Sequence, residues 1–269
     1  MHVQQICLAA TRVLAEVPKA YMECVPMTRE SFGKVVRGAA MVGLLGVCGA
    51  TSAYADIAGN IGIGTDYRFR GISQTDRDPQ VSGGFDFTAE NGLYAGIWGS
   101  NVQFGGSLEL DYYGGYRGKI GEEVGYDVGY IYYNYPSSNS DPDLDYQEIY
   151  GSVTYGDFKV GVNYSDDYFA ETDTYWYLYG SYSHALTESI SVSASVGYNA
   201  FDSSDAMASF LVTESDPGDN YVDWKIGVST TWQGLGWSLT YVDSNLSKED
   251  CGDTKICEAT AVAAITKAL

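Results

Sequence analysis

The sequence predicts an all-β fold, an antiparallel transmembrane β-barrel of twelve strands. Three observations predict it: segments of about ten residues with alternating apolar and polar side chains, short turns that alternate with long polar links, and an even number of segments. Tilted strands of this length cross a bilayer, and outer-membrane barrels have even strand numbers. No segment shows helical periodicity, and none approaches the roughly 18 apolar residues of a membrane helix.

Residues before the first segment have the features of an export signal. From Met27, "MTRESFGKVVRGAAMVGLLGVCGATSAYADI" holds basic residues, an apolar run over 38–49 that is too short for a membrane anchor, and an Ala-Tyr-Ala box ending at Ala55. These are the parts of a secretory signal peptide. We therefore expect translation to start at Met27, so that 1–26 is either an artefact of the assigned gene start or an extension without structure. We further expect a signal peptide over 27–55 that is cleaved after Ala55, and a barrel over 56–269.

The strand segments follow from the alternation of side chains. In the first, "NIGIGTDYRFRGISQT", the pattern puts Ile61, Ile63, Tyr67 and Phe69 on a lipid face, and the intervening charged residues on the opposite face. Later segments repeat this alternation of apolar and polar positions. The twelve predicted segments are 58–70, 80–90, 93–101, 107–118, 124–135, 145–155, 158–165, 173–185, 189–200, 221–231, 236–244 and 258–268.

Links of two kinds alternate along the chain. Tight turns such as Asn91-Gly92 and Gly156-Asp157 are followed by longer acidic links at 71–79, 136–144, 166–172, 201–220 and 245–257, with a shorter one at 102–106. Outer-membrane barrels have short turns in the periplasm and longer loops outside, whereas a β-sandwich has no reason to keep this order. Both termini are then expected in the periplasm.

Tyrosine is the most abundant aromatic residue, with 24 copies. Many copies stand near segment ends, where amphipathic rings favour the headgroup level of a bilayer. We expect aromatic girdles that include Tyr94, Tyr135, Tyr155, Tyr164 and Tyr241.

Charge limits the classes of partner. Five basic and three acidic residues lie in 1–55, which leaves ten basic and thirty-two acidic residues, a net charge of −22, in 56–269. Such an acidic surface repels nucleic acid. Because most of the excess lies in the long links, the outer mouth should enrich cations. Expected partners are outer-membrane lipid and lipopolysaccharide, bridged by divalent ions, and small polar solutes or cations.

Two cysteines remain after the signal, Cys251 and Cys257 in "CGDTKIC", and this spacing in an exported chain favours a disulfide. A metal site is the weaker alternative, since two cysteines supply half of a zinc shell and the one histidine of 56–269, His184, is distant. The stretch "DPDLDYQEIY" begins like a calcium loop but lacks its glycine and its terminal glutamate. We expect no metal and no cofactor.

Several blocks resemble a known family. "GTDYRFRGISQT", "GLYAGIWGSNV", "LELDYYGGYRG", "YDVGYIYYNYP" and "YSDDYF" stand in the order and spacing of the TorF-type porins of proteobacteria, over nearly all of 56–245. The resemblance implies an exported outer-membrane barrel that acts as a porin, and it implies no particular solute.

Charged residues that face inward by parity are the candidate site. Facing charges can narrow a lumen and select solutes. Lys159, Lys225, Glu148 and Asp223 also face inward by this count. The predicted lumen or constriction residues are Asp66, Arg68, Arg70, Asp86, Glu109, Asp111, Arg117 and Asp127.

Two alternatives to a conducting porin stay open. A salt-bridged interior could close a structural or adhesion-type barrel, because a barrel of about twelve strands lies between filled small barrels and open large ones. An outer-membrane lipid-modifying enzyme is ranked lowest. The only histidine of 56–269, His184, lies near a periplasmic turn, its serine neighbours point to the other face, and no G-x-S-x-G is present.

Overall fold

A computed structural model describes residues 55–269 apart from 137 and 139, so the predicted extension and nearly all of the predicted signal peptide lie outside the described residues. Twelve antiparallel strands close into a barrel, as the sequence predicts, and two short strands form a separate hairpin. In chain order the strands are β1 (Ala55–Gly64), β2 (Arg68–Phe69), β3 (Ile72–Ser73), β4 (Gln80–Ala89), β5 (Leu93–Asn101), β6 (Leu108–Ile120), β7 (Val124–Asn134), β8 (Tyr146–Tyr155), β9 (Phe158–Ser165), β10 (Tyr175–Ala185), β11 (Ile190–Phe201), β12 (Asn220–Trp232), β13 (Leu235–Ser244) and β14 (Thr260–Ala268).

The barrel has an apolar outer face and a polar inner face. Ile61, Phe85 and Ile226 are 49, 59 and 62% exposed, and residues adjacent to them in the strands point inward. Successive strands pair with their sequence neighbours, and β1 closes the barrel by pairing with β4 on one side and β14 on the other. Exposed apolar residues on the outside are what a hydrocarbon solvent selects.

The two rims differ in the length of their links. One, here called the turn rim, has the short connections after β4, β6, β8, β10 and β12. The other, here called the loop rim, has all the longer connections, including 65–79, 202–219 and 245–259. Lys267, which stands at an outward position of β14, donates from Nζ to the Gly234 carbonyl of the turn rim at 3.0 Å. Its charge therefore reaches the rim while its stem lies along the wall.

The first predicted strand is too long. Strand β1 ends at Gly64, which is directly opposite Gln80 of β4, and the residues between them leave the sheet. We call residues 65–79 the plug hairpin; its strands β2 and β3 pair with each other and with no barrel strand. Arg70 and Gly71 at its tip have φ of 47° and 84°. Tyr67 and Phe69, predicted to face lipid, therefore lie inside the barrel, with Tyr67 only 2% exposed.

The predicted link at 201–220 contains a helix that the sequence did not indicate. Helix α1 (Ser204–Leu211) begins after Ser203, whose side chain accepts from the Ala206 amide. Met207 and Leu211 are buried, so the helix packs against interior side chains of the barrel rather than extending into solvent. Within the described residues no helix has the length and apolar character needed to cross a membrane.

The predicted tyrosine girdle is correct in part. Tyr155 and Tyr241 are 59 and 42% exposed on the outer face. Tyr94 and Tyr135, in contrast, are buried among interior side chains. Inside the barrel, Tyr94 donates to Asp127 at 2.6 Å and Tyr135, just after β7, donates to Glu109 at 2.9 Å.

Candidate functional site: the barrel interior

The plug hairpin crosses the lumen near the loop rim. Arg70, at its tip, reaches Glu148 on β8, which is the fifth strand from β1 in one direction and the seventh in the other. Arg70 Nη1 donates to Glu148 Oε1 at 2.6 Å and Nη2 to Oε2 at 2.8 Å. This two-bond geometry matches a guanidinium to a carboxylate. Both side chains are at most 3% exposed, so water screens the pair little.

Aromatic rings surround the Arg70 guanidinium. Its central carbon lies 4.4 Å from the ring centroid of Tyr177, 4.7 Å from Phe69, 5.0 Å from Tyr175 and 5.9 Å from Tyr168. Rings at these distances attract a cation through their electron-rich faces. Burial has the largest single effect on the pKa of Arg70 and lowers it. The charge of Glu148, its hydrogen bonds to Arg70 and the neighbouring tyrosines together outweigh burial, so the pKa lies well above the ordinary value. Arg70 is therefore a charged group held inside the barrel.

Glu148 has a second donor from the wall. Asn163 Nδ2 donates to Glu148 Oε2 at 2.8 Å, and Asn163 belongs to the neighbouring strand β9. The carboxylate thus accepts from both the hairpin and the wall. Glu148 and the tyrosines that surround the Arg70 guanidinium belong to the barrel wall and the 166–174 link, whereas Arg70 and Phe69 belong to the plug hairpin.

Hydrogen bonds of Arg68 and Asp66 stabilise the base of the plug hairpin. Arg68 Nε donates to Asp66 Oδ2 at 2.6 Å, while Asp66 Oδ1 accepts from Ser73 Oγ at 2.6 Å. Arg68 Nη1 also donates to the Ile256 carbonyl at 2.7 Å. Burial lowers the pKa of Arg68, and Asp66 offsets that effect only in part. These contacts shape the hairpin and tie it to the 245–259 link.

The plug hairpin contacts the barrel wall at Glu109, on the β5–β6 side. Tyr67 donates from its hydroxyl to Glu109 Oε1 at 2.8 Å, and Tyr135 donates to Oε2 at 2.9 Å. The Tyr67 ring meets Trp98 edge-on, with centroids 5.6 Å apart. Burial and the Glu109 charge raise the pKa of Tyr67 and of Tyr135 well above the ordinary value, so both stay donors. The hairpin is therefore held at two sides of the barrel.

A disulfide joins Cys251 and Cys257, the pair favoured by their spacing. Both cysteines are 1% exposed and pack in the same cluster as the plug hairpin. Between them, the Ile256 carbonyl accepts from the Ser73 amide at 2.9 Å. The disulfide loop therefore contacts the plug hairpin and helps to hold it in place.

A second polar layer lies nearer the turn rim. Tyr113 donates to Asp86 at 2.6 Å, and Tyr94 donates to Asp127 at 2.6 Å. The Arg117 guanidinium lies 4.2 Å from the Tyr94 ring centroid. Because each hydrogen bond joins strands that are not adjacent in the sheet, these side chains meet inside the barrel.

All eight predicted lumen residues lie in the interior, but not in one ring. Glu109 and Asp111 are on the wall near the loop rim, and Asp86, Arg117 and Asp127 are on the wall in the second layer. Asp66, Arg68 and Arg70 were expected on a wall strand and lie instead on the plug hairpin, because the chain leaves the sheet at Gly64. Sequence reasoning placed Glu148 inward without its partner, and it missed the interior residues Asn163, Tyr67, Tyr94, Tyr168, Tyr175 and Tyr177.

His184 lies on the outer face near the turn rim. Its Nδ1 is 2.7 Å from Asp157 Oδ2, a pair that the sequence did not indicate. Both side chains are nearly half exposed. The Ser183 hydroxyl is buried on the opposite face and does not face the imidazole. For the described part of the chain, no cluster of three or more metal-ligating side chains is found.

Comparison with solved structures shows the fold. A structure described as the KdgM porin aligns with a TM-score of 0.51 at 9% identity, over 80% of this chain and 98% of that one. A KdgM porin in complex with disordered oligogalacturonate aligns with a TM-score of 0.50 at 8% identity, over the same shares. LpxR from Salmonella typhimurium aligns with a TM-score of 0.42 at 8% identity, over 79% of this chain and 99% of that one.

Sequence comparison gives the family. No curated protein matches the chain. Residues 48–269 match a family described as "Bacterial protein of unknown function (Gcw_chp)", which covers the whole barrel. The chain therefore belongs to the Gcw_chp family.

Proposed function

We propose that this protein is an outer-membrane porin through which small polar solutes diffuse, with a preference for cations. The observation that carries the proposal is the interior of a closed twelve-strand barrel, which is lined by acidic, basic and hydroxyl side chains while the outside is apolar. A polar inner face is what a water-filled passage requires. The resemblance to TorF-type porins supports the same function, and export would remove residues 27–55.

The preference for cations comes from the loop rim. Exposed carboxylates at Asp143, Asp166, Glu171, Asp173 and Asp253 stand on its links. Together they give the mouth a negative potential that raises the local concentration of cations. The same carboxylates would bridge through divalent ions to lipopolysaccharide phosphates.

A non-conducting structural barrel is the second candidate. The hairpin that crosses the lumen and its buried Arg70–Glu148 pair favour it. The two functions differ in whether the hairpin leaves the lumen.

Bilayer measurements on residues 56–269 test the porin. Protein refolded in detergent and inserted into planar bilayers should give discrete conductance steps, and a salt gradient should give a reversal potential of cation sign. Boiled protein is the control, and outer-membrane fractionation with unboiled gel migration checks folding and location. Folded protein that gives no steps over a wide voltage range would assign it to the structural barrel.

A further inference from the structure

The Arg70 pocket has the parts of a binding site for an organic cation. Glu148 supplies two carboxylate oxygens, Asn163 orients one of them, and Tyr175 and Tyr177 present ring faces. A planar carboxylate with stacked rings suits a guanidinium, which forms paired hydrogen bonds and stacks on aromatic faces. The occupant in this structure is the protein's own Arg70.

Arg70 is carried on a removable element. The plug hairpin is inserted between Gly64 and Gln80, which pair directly, so the barrel ladder does not need it. Its backbone is bonded to neighbouring links from Ser73 to Ile256 and from Gln103 to Gln74. At its tip, the Arg70 carbonyl accepts from the Tyr221 hydroxyl of β12 at 3.0 Å. The remaining anchors are side chains, and ionised groups regain hydration when they leave a buried site.

We propose that Glu148 with Asn163, Tyr168, Tyr175 and Tyr177 is a guanidinium-recognition site, which Arg70 fills in the closed barrel and for which solutes bearing a guanidinium compete. Such a solute takes the place of Arg70 and leaves the hairpin without its anchor on β8. The negative loop rim would concentrate these cations beside the site. Recognition of the cation needs only the wall residues; the consequence for passage of solutes rests on the proposed porin function.

Chemical rescue tests the site without any measurement of transport. Arg70→Ala empties the guanidinium position and leaves Glu148 buried. Millimolar methylguanidinium should then raise the thermal unfolding midpoint of Arg70→Ala in a saturable way, while methylurea, which has the same shape and no charge, should not. Adding Glu148→Gln to Arg70→Ala should abolish the rescue.

Arg77→Ala is the matched control. Arg77 lies on the same hairpin and also has positive φ, but its guanidinium is near the surface, 3.6 Å from Glu258. Methylguanidinium should leave the midpoint of Arg77→Ala unchanged. Equal shifts for the two variants, or an equal response to methylurea, would overturn the proposal.

A second variant keeps the test decisive if Arg70→Ala does not fold. Replacing 65–79 by Asn-Gly joins Gly64 to Gln80 by a two-residue turn, which fits their direct pairing and leaves Glu148 in the wall. Methylguanidinium should stabilise this variant too, and the added Glu148→Gln should remove the effect. No stabilisation in folded protein would contradict the site.

The transport consequence is read separately. In planar bilayers, methylguanidinium should raise the open probability of the wild type several-fold, and methylurea should not. Rescue without any conductance would retain the site and reject the porin, whereas conductance without rescue would retain the porin and reject the site.

Discussion

The buried pair between Arg70 and Glu148 gives the sharpest prediction about stability. Arg70→Ala leaves the Glu148 carboxylate buried, with Asn163 still donating to it. Breaking a buried, hydrogen-bonded ion pair on one side typically costs about 3–5 kcal/mol, because the charge that remains has lost water and partner. We expect a loss of this size in the free energy of unfolding.

Arg77→Ala sets the scale for a charge lost from the same hairpin. Its guanidinium is 31% exposed and lies 3.6 Å from Glu258. Exposed pairs of this kind contribute roughly 0–1 kcal/mol. The two variants remove the same side chain and the same charge from left-handed positions, so the difference between them reports the buried contact.

A double-mutant cycle separates the pair from its surroundings. Glu148→Gln alone should also destabilise the protein, and Arg70→Ala/Glu148→Gln should cost less than the sum by about 1–3 kcal/mol. Urea unfolding in detergent, followed by the fluorescence of the five tryptophans, measures each value. Equal losses for Arg70→Ala and Arg77→Ala, or a cycle that is additive, would refute the inference that this pair anchors the hairpin.

Three further predictions concern the disulfide loop, the tip of the plug hairpin and the loop rim. Cys251→Ser/Cys257→Ser should lower the free energy of unfolding by about 2 kcal/mol, because the disulfide closes a loop with a separation of 6 residues. Hydrogen exchange of the Ser73 amide should also become faster. Unchanged exchange would show that the disulfide loop does not hold the hairpin in place. Gly71→Ala should lower the free energy of unfolding by at least about 1 kcal/mol more than Gly156→Ala. Both glycines have positive φ, but a Cβ at Gly71 would lie 3.0 Å from Asp223 Cβ and 3.1 Å from Ser244 Cβ, whereas a Cβ at Gly156 would have nothing within 4 Å. Equal unfolding free energies would argue against close packing at Gly71. Cation preference in bilayers should fall as salt rises from about 0.1 M to 1 M, where the Debye length falls from about 10 to 3 Å, and a reversal potential independent of salt would place the selectivity in the buried layers rather than at the mouth.

The barrel was predictable because its signals are local. Alternation within each segment sets which residues face lipid, and the order of short and long links sets the rims. Strand ends such as Asn101 and Ser165 follow from the polar links beside them. Lys267 is instructive: at an outward position it contradicted the alternation, yet its length lets the amine reach the Gly234 carbonyl.

The plug hairpin was not predictable for a physical reason. Alternation continues past Gly64 through Tyr67 and Phe69, so a strand and an inward hairpin give the same local pattern. Contacts distant in sequence distinguish them, such as those of Tyr67 with Glu109 and of Arg70 with Glu148, whose partners are 42 and 78 residues away. For the same reason Tyr94, which is amphipathic, fits a headgroup girdle or an interior hydrogen bond equally well.

Conductance of the hairpin replacement tests the central claim, that a polar lumen passes solutes once the hairpin is out of it. Protein with 65–79 replaced by Asn-Gly should give larger or more frequent single-channel steps than the wild type at equal folding, and Arg77→Ala should behave as the wild type. Wild-type steps that are unchanged by the replacement, or silence in both folded proteins, would contradict the account.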